Sequence, residues 1–324
     1  MIIKTKFLRP ILLIVLFFFG TYSAFSQINL KSIENFSLFT TTGAVGNTVT
    51  ATSNITGDIG TNTGAVDGFG SPTVVNGDIE IENAITAQAA LDLTAAVNQI
   101  NNTETTATHV PVFGNGETLT PGVYYQGGAA SIIGTLILDG QGDANAQFIF
   151  KIGGAFSTGA NSNVVLINCA LPANIFWLSG GAIDMGASTD MSGNLISNPG
   201  AVSMGDLGKL EGRMLSTTGA IAVYGTEATN PGTPIISAIT QPTCTTTTGS
   251  FQIRDYDSNI ANQYTFSPSV VSVSATGWVT ANPDTYTFSF PNSGGCNALI
   301  VIKQVINYWT GAISSDWNDA ENWT

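Results

Sequence analysis

The chain is 324 residues long, carries a formal net charge of −13, and holds 36 glycines with only 10% charged residues. That length admits roughly two domains of about 100–200 residues, and the acidity excludes nucleic acid, whose phosphates are bound by clustered Lys and Arg. Long runs of Thr, Ser, Asn, Ala and Val between glycines predict an all-β chain of short strands and tight turns.

Residues 1–26 read as a signal peptide. Lys4, Lys6 and Arg9 flank the start of the apolar run ILLIVLFFFG, and Ala24-Phe25-Ser26 supply the small residues of a cleavage site. The apolar run is short for a membrane span, and no later segment reaches the ~18 apolar residues of one. A secreted or cell-surface protein beginning near Gln27 is expected, with no membrane span after signal removal.

From 27 to 230, short apolar-polar alternations are broken once, by NAITAQAALDLTAAVNQINN. Here Ile85, Ala89, Leu93, Ala96, Val97 and Ile100 recur at helical spacing, predicting one amphipathic helix over about 83–102 that lies against a β surface. The lone histidine, His109, follows in a polar loop and reads as a solvated connector, a poor basis for a Ser-His-Asp or Cys-His centre. LDGQGDANAQ spaces Asp139, Asp143 and Asn145 faintly like a calcium loop but lacks the later Glu, and reads as a turn. No pair of carboxylates stands out for glycosidase chemistry. Neither an enzyme, nor a metal, nor any other cofactor is expected.

The stretch from Gly181 to Gly225 repeats every nineteen residues. Gly-Ala-aliphatic opens at Gly181, Gly200 and Gly219, and GNLIS at Gly193 returns as GRMLS at Gly212. Nineteen residues suit one circuit of a solenoid. Stacking places Ile183, Val202 and Ile221 in one inward column and Met185, Met204 and Val223 in a second, with Ala182, Ala201 and Ala220 outward. Gly186 and Gly205 are expected to turn the corner with φ > 0. GAFSTGANSN at Gly154 precedes GAIDMGASTD at Gly181 by 27 residues, the surplus forming an excursion at CALPANIFW, while ITGDIG at Ile55 and VNGDIE at Val75 read as circuits ahead of the helix.

Pro231, Pro234 and Pro242 mark a linker. The runs GSFQIRD, QYTFSPS, VVSVSATGW, TYTFSFP and ALIVIKQV then predict an Ig-like β-sandwich over 231–306. Trp309, Trp317 and Trp323 suggest that 307–324 begins a truncated Trp-rich module. Cys244 and Cys296, near the two ends of the sandwich segment, are the expected disulfide on position alone, and Cys169, in VVLINCALPANIFW, is read as a buried inert thiol.

FSLFTTTGAVGNT, GDIGTNTGAV, TVVNGDI, the helix with TAQAALDLTAA, LTPGVYY, GTLILDGQGDANAQFIFKIGGAFSTG, VVLINCALPANIFW and GNLIS…GRMLSTTGAI succeed one another from about Phe36 to Thr226. In that order they resemble the microbial ice-binding proteins, a family that folds as an irregular right-handed β-helix with a helix alongside. The resemblance implies a discontinuous right-handed β-helix of triangular section, coils ordered differently in space and in sequence, and a flat face that adsorbs to an ice crystal surface. A stiff grid of small side chains about 4.7–4.9 Å apart can hold water in lattice-like order, and stiffness avoids an ordering cost on adsorption. The family's Thr-rich outer tetrads are matched by TGAN at Thr158, and the implied ice-contact residues are Ser157, Thr158, Ala160, Asn161, Ala187, Thr189 and Ser203. Asp190, Asp206 and Lys209, one and two coils on, hold their own hydration and depart from that pattern. They speak for a rival reading, an extracellular adhesin or matrix protein that uses the solenoid as a rigid scaffold and takes cell-surface or matrix glycans as partners.

Overall fold

The computed structural model describes residues 27–48, 52–231, 236, 239–243, 245–253, 256, 258–290 and 296–304. The expected signal peptide, Cys244 and the Trp-rich 307–324 lie outside them. No helix among the described residues is long and apolar enough to cross a membrane.

Between Gln27 and Pro231, short parallel strands wind into a β-helix with three faces. The nineteen-residue repeat is one coil of it. Ile183 pairs with Val202 and Val202 with Ile221, Met185 with Met204 and Met204 with Val223, all buried. Ala182, Ala201 and Ala220 are exposed, as the alternation requires. Ile55 stacks on Val75 in the same manner. Inside, Tyr124, Phe150, Trp177 and Phe156 form a column of parallel rings, with Phe150 and Trp177 centroids 3.8 Å apart. His109 is no solvated connector: it stacks on Phe113 at 3.9 Å, with Nε2 3.1 Å from Glu117, and closes the end coil.

Coil order in space departs from that in sequence. The last coil, Ile221–Val223 with Glu227–Thr229, pairs with the first, Val45–Asn47 with Asn54–Thr56. The chain adds a coil beyond the first, at Val66–Asp67 and Val74–Asn76, then crosses to the far end and builds back from Ala107–Thr108 and Val112–Gly114. The crossing is made by α1, Ala84–Asn102, whose 19 residues measure about 28 Å. Arg213, fully buried, staples the closure, donating to Asn194 Oδ1, the Glu34 carbonyl and Asn230 Oδ1 at 2.8, 2.7 and 2.9 Å.

At its start α1 has a capping box: Asn83 Oδ1 accepts from the Thr86 N–H, and Thr86 Oγ1 accepts from the Asn83 N–H. That box turns Thr86 to the sheet, so Ile85, expected in the buried stripe, sits about 100° round the axis and is half exposed. Ala89, Ala90, Leu93, Ala96, Val97 and Ile100 cover Phe39, Val123, Ile149, Phe176, Ile196 and Leu215. Lys151 donates from the sheet to the carbonyls of Asn101 and Thr103, a cation at the negative end of the helix.

Beyond the solenoid lie two three-stranded antiparallel sheets. One is Gly249–Gln252, Trp278–Ala281 and Ser272–Val273; the other is Thr265–Ser267, Asp284–Ser289 and Asn297–Ile302. Both contribute to one buried cluster that includes Phe251, Val279, Tyr286, Phe288 and Ile300. They are clamped to the solenoid. Asp143 Oδ1 accepts from the N–H groups of Leu299 and Asn145, Asn145 Nδ2 donates to the Leu299 carbonyl, and Ala144 joins the cluster buried between these sheets. The disulfide joins Cys169 to Cys296, with Cα atoms 5.7 Å apart, and not Cys244 to Cys296. The excursion at CALPANIFW reaches out to the strand Asn297–Ile302, so Cys169 is a cross-link and no inert thiol. Proximity in sequence misled because the partner lies 127 residues away.

A loop of that length makes Cys169→Ser cost about 2–5 kcal/mol. Urea unfolding should split into two transitions, with the C-terminal sheets melting first; a single unshifted transition contradicts this. Burial raises the pKa of Asp143, against the lowering effect of its hydrogen bonds from Leu299 and Asn145. Its contribution to stability is therefore fullest below the ordinary carboxylate range and is lost as pH rises through the raised value. Asp143→Asn, which keeps the acceptor oxygen, should flatten that pH dependence in thermal melts recorded from pH 3 to 7.

Candidate functional site

The three faces of the solenoid differ in what they offer. The first is covered by α1. The second is the eight-stranded sheet with spatial order Val66–Asp67, Val45–Asn47, Ile221–Val223, Val202–Met204, Ile183–Met185, Phe156–Thr158, Ala130–Ile133, Val112–Gly114. The third carries Glu117–Leu119, Thr135–Asp139, Asn163–Ile167, the first residues of Asp190–Ser197 and Lys209–Ser216, then Glu227–Thr229, Asn54–Thr56 and Val74–Asn76.

Two outward columns run in register along the second face. One is Ala65, Ala44, Ala220, Ala201, Ala182, Ala155 and Ala129, all exposed. The N–H of the residue after each alanine donates to the carbonyl of the next alanine in the column. At 4.7–4.9 Å per rung these alanines extend over ~29 Å. The other column is Asp67, Gly46, Ala222, Ser203, Asp184, Ser157, Ser131 and Val112.

The alanine column is held from beneath by a ladder of hydroxyls. Ser179, Ser197, Ser216, Thr40 and Thr61 lie in register and are fully buried. They donate to the carbonyls of Gly154, Gly181, Gly200, Gly219 and Gly43, each the residue before an alanine of the column, at 2.7–2.8 Å. Gly219, at φ +150°, is obligatory: a Cβ there would meet the Gly200 carbonyl at 2.4 Å. At the opposite corner of this face the left-handed residues are Asn161, Ser188 and Leu207, not Gly186 and Gly205. Gly186 is needed for close approach instead, its Cβ position lying 2.8 Å from the Thr158 carbonyl oxygen.

The implied contact residues divide into three groups. Ser157 and Ser203 stand outward in the second column. Ala160, Asn161 and Ala187 are exposed in the turn between the second and third faces. Thr158 and Thr189 are buried, their hydroxyls 2.8 Å apart, and touch nothing outside. Thr158 occupies the inward position that Met185 holds one coil on, which aligning GAFST with GAIDM makes visible. Asp190 and Lys209 belong to the third face, paired in register, with Lys209 Nζ 3.5 Å from Glu227; Asp206 lies in the turn. None of the three interrupts the second face, but Asp184, unremarked in the sequence, does.

The alanines were half visible. Ala182, Ala201 and Ala220 follow from the nineteen-residue period, whereas Ala44 and Ala65 join them only because the last coil closes on the first. The C-terminal sheets, moreover, dock on loops joining third-face strands to first-face strands, at Asp143–Asn145 and Cys169. That corner is opposite the second face and leaves it bare. A flat, stiff surface made mainly of methyl and hydroxyl groups can order water.

A family model described as Ice-binding-like matches residues 39–229. An ice-binding protein of a Nostoc species is 38% identical over 159 residues, 47% of this chain and 57% of that protein. The crystal structure of an ice-binding protein from an Antarctic Flavobacteriaceae bacterium superposes with a TM-score of 0.59 at 45% identity, covering 66% of this chain and 49% of that one. Another, from an Antarctic biological consortium, gives a TM-score of 0.59 at 32% identity over 63% of this chain and 91% of its own. The chain thus spans about half the length of the Nostoc and Flavobacteriaceae relatives.

Ser216→Ala leaves the Gly200 carbonyl without its hydroxyl donor and is expected to cost about 1–3 kcal/mol. Ser203→Ala, on the surface, should stay within about 0.5 kcal/mol. Urea denaturation of the two variants side by side checks the contrast, and equal losses would refute the ladder's role.

Proposed function

The chain belongs to the Ice-binding-like family, and from that premise we propose that it adsorbs to ice through the second face of its β-helix, with the alanine column and Ser131, Ser157 and Ser203 as the contact surface. The observation that carries the reading is the exposed column from Ala65 to Ala129, pinned at five of its seven corners, from Ala44 to Ala155, by a buried hydroxyl. Stiffness matters because a surface already ordered loses little conformational entropy when it meets the lattice. Ala160, Asn161 and Ala187 form the rim of this surface; Thr158 and Thr189 support it from inside.

The other faces serve worse. The first is spent on α1, and the third sets Asp190, Lys209, Glu227 and Glu211 in its columns, where charges keep liquid-like hydration shells. The reading extends to a secreted, non-enzymatic protein without cofactors whose partner is the ice crystal. The C-terminal unit, taken as an Ig-like sandwich, serves as a fixed mount. The adhesin alternative, with its glycan partners, draws no support from the relatives, which are named as ice-binding proteins.

Ala201→Tyr places a bulky ring in the middle of the column and is expected to abolish thermal hysteresis and partition into a growing ice hemisphere. Val165→Tyr, on the third face, should leave both unchanged. Ice crystals that grow unshaped in the unaltered protein, or that respond to Val165→Tyr and not to Ala201→Tyr, would overturn the proposal.

A further inference from the structure

We propose that Asp184 sets the strength of this adsorption, as a fixed charge in the middle of a face whose other central side chains are small and neutral; the inference rests on the ice-adsorbing reading above. Asp184 stands between Ser203 and Ser157 in the second column, with four positions beyond it toward Asp67 and three toward Val112. Its neighbours in the first column are Ala155, Ala182 and Ala201. Ser203 Oγ donates to its Oδ1 at 2.6 Å, which holds the carboxylate over the face. The ion pairs among the described residues do not include it.

A carboxylate draws water hydrogens toward itself from several directions. Lattice water cannot comply, because each molecule in ice is committed to two donated and two accepted hydrogen bonds. When the face approaches the crystal, Asp184 either keeps a liquid shell that holds the lattice away or gives up hydration that nothing replaces. The flanking methyl and hydroxyl groups carry no such cost. Asp67, the other acid of the column, lies in the outermost coil, where bulk water stays within reach. Position, and not the number of charges, is what distinguishes the two.

The test uses the full chain and measures thermal hysteresis and partition into ice at equal protein concentration. Asp184→Asn keeps the size and removes the charge, and adsorption should rise about threefold. Asp184→Ser, which extends the serine run from Ser203 to Ser157, should move in the same direction, guarding against an effect peculiar to the amide. Asp67→Asn makes the same change in net charge and should leave adsorption within about 1.3-fold. An equal rise with Asp67→Asn would assign the effect to net charge and overturn the proposal. So would unchanged or weaker adsorption in both Asp184 variants while Ala201→Tyr abolishes it, since the carboxylate would then be a neutral bystander or a contact. If Ala201→Tyr has no effect, the face itself is wrong and this inference falls with it.

Discussion

Five buried hydroxyls set the geometry on which everything outside them depends. Ser179, Ser197, Ser216, Thr40 and Thr61 each donate to the glycine carbonyl that begins the turn into the second face. A turn carbonyl without a partner inside a solenoid would be a costly orphan, and one satisfied by water would be free to shift. An internal donor fixes each turn at the same depth, so the alanine that follows stands level with those above and below. Flatness here is made by polar atoms in the interior and not by the apolar core, whose Ile, Val and Met columns fill volume but set no height.

The same register that levels the face also lets a discontinuous chain become one body. Without α1 to carry the chain along the solenoid, the first coils would form a separate stub; with it, the last coil zips onto the first, and Arg213 ties the seam to the Glu34 carbonyl, Asn194 and Asn230. Parallel pairing between coils made at opposite ends of the sequence is slow to find, because long loops must close before any contact rewards them. Their stability once formed is correspondingly cooperative.

Much of the solenoid was legible in the sequence because its period is written in residues that face inward. GAIDM, GAVSM and GAIAV announce one another, and the serines of GNLIS and GRMLS mark the ladder. The helix was legible from its stripe, apart from Ile85, whose orientation was decided by a local cap and not by hydrophobicity. The surface was harder. TGAN at Thr158 resembles an outer tetrad, yet its threonine replaces a core methionine and turns inward; outward positions obey no apolar rule that would show them. The disulfide was misjudged because no local pattern records that an excursion of one coil meets a strand 127 residues away.

That covalent meeting point has a mechanical consequence. With Cys169 joined to Cys296 and Asp143 and Asn145 gripping Leu299, the C-terminal sheets are tied to the solenoid at one corner both covalently and by hydrogen bonds, which limits how far either can turn against the other. Copies mounted by those sheets would all present the alanine plane at a similar bearing, like tiles set on a common backing.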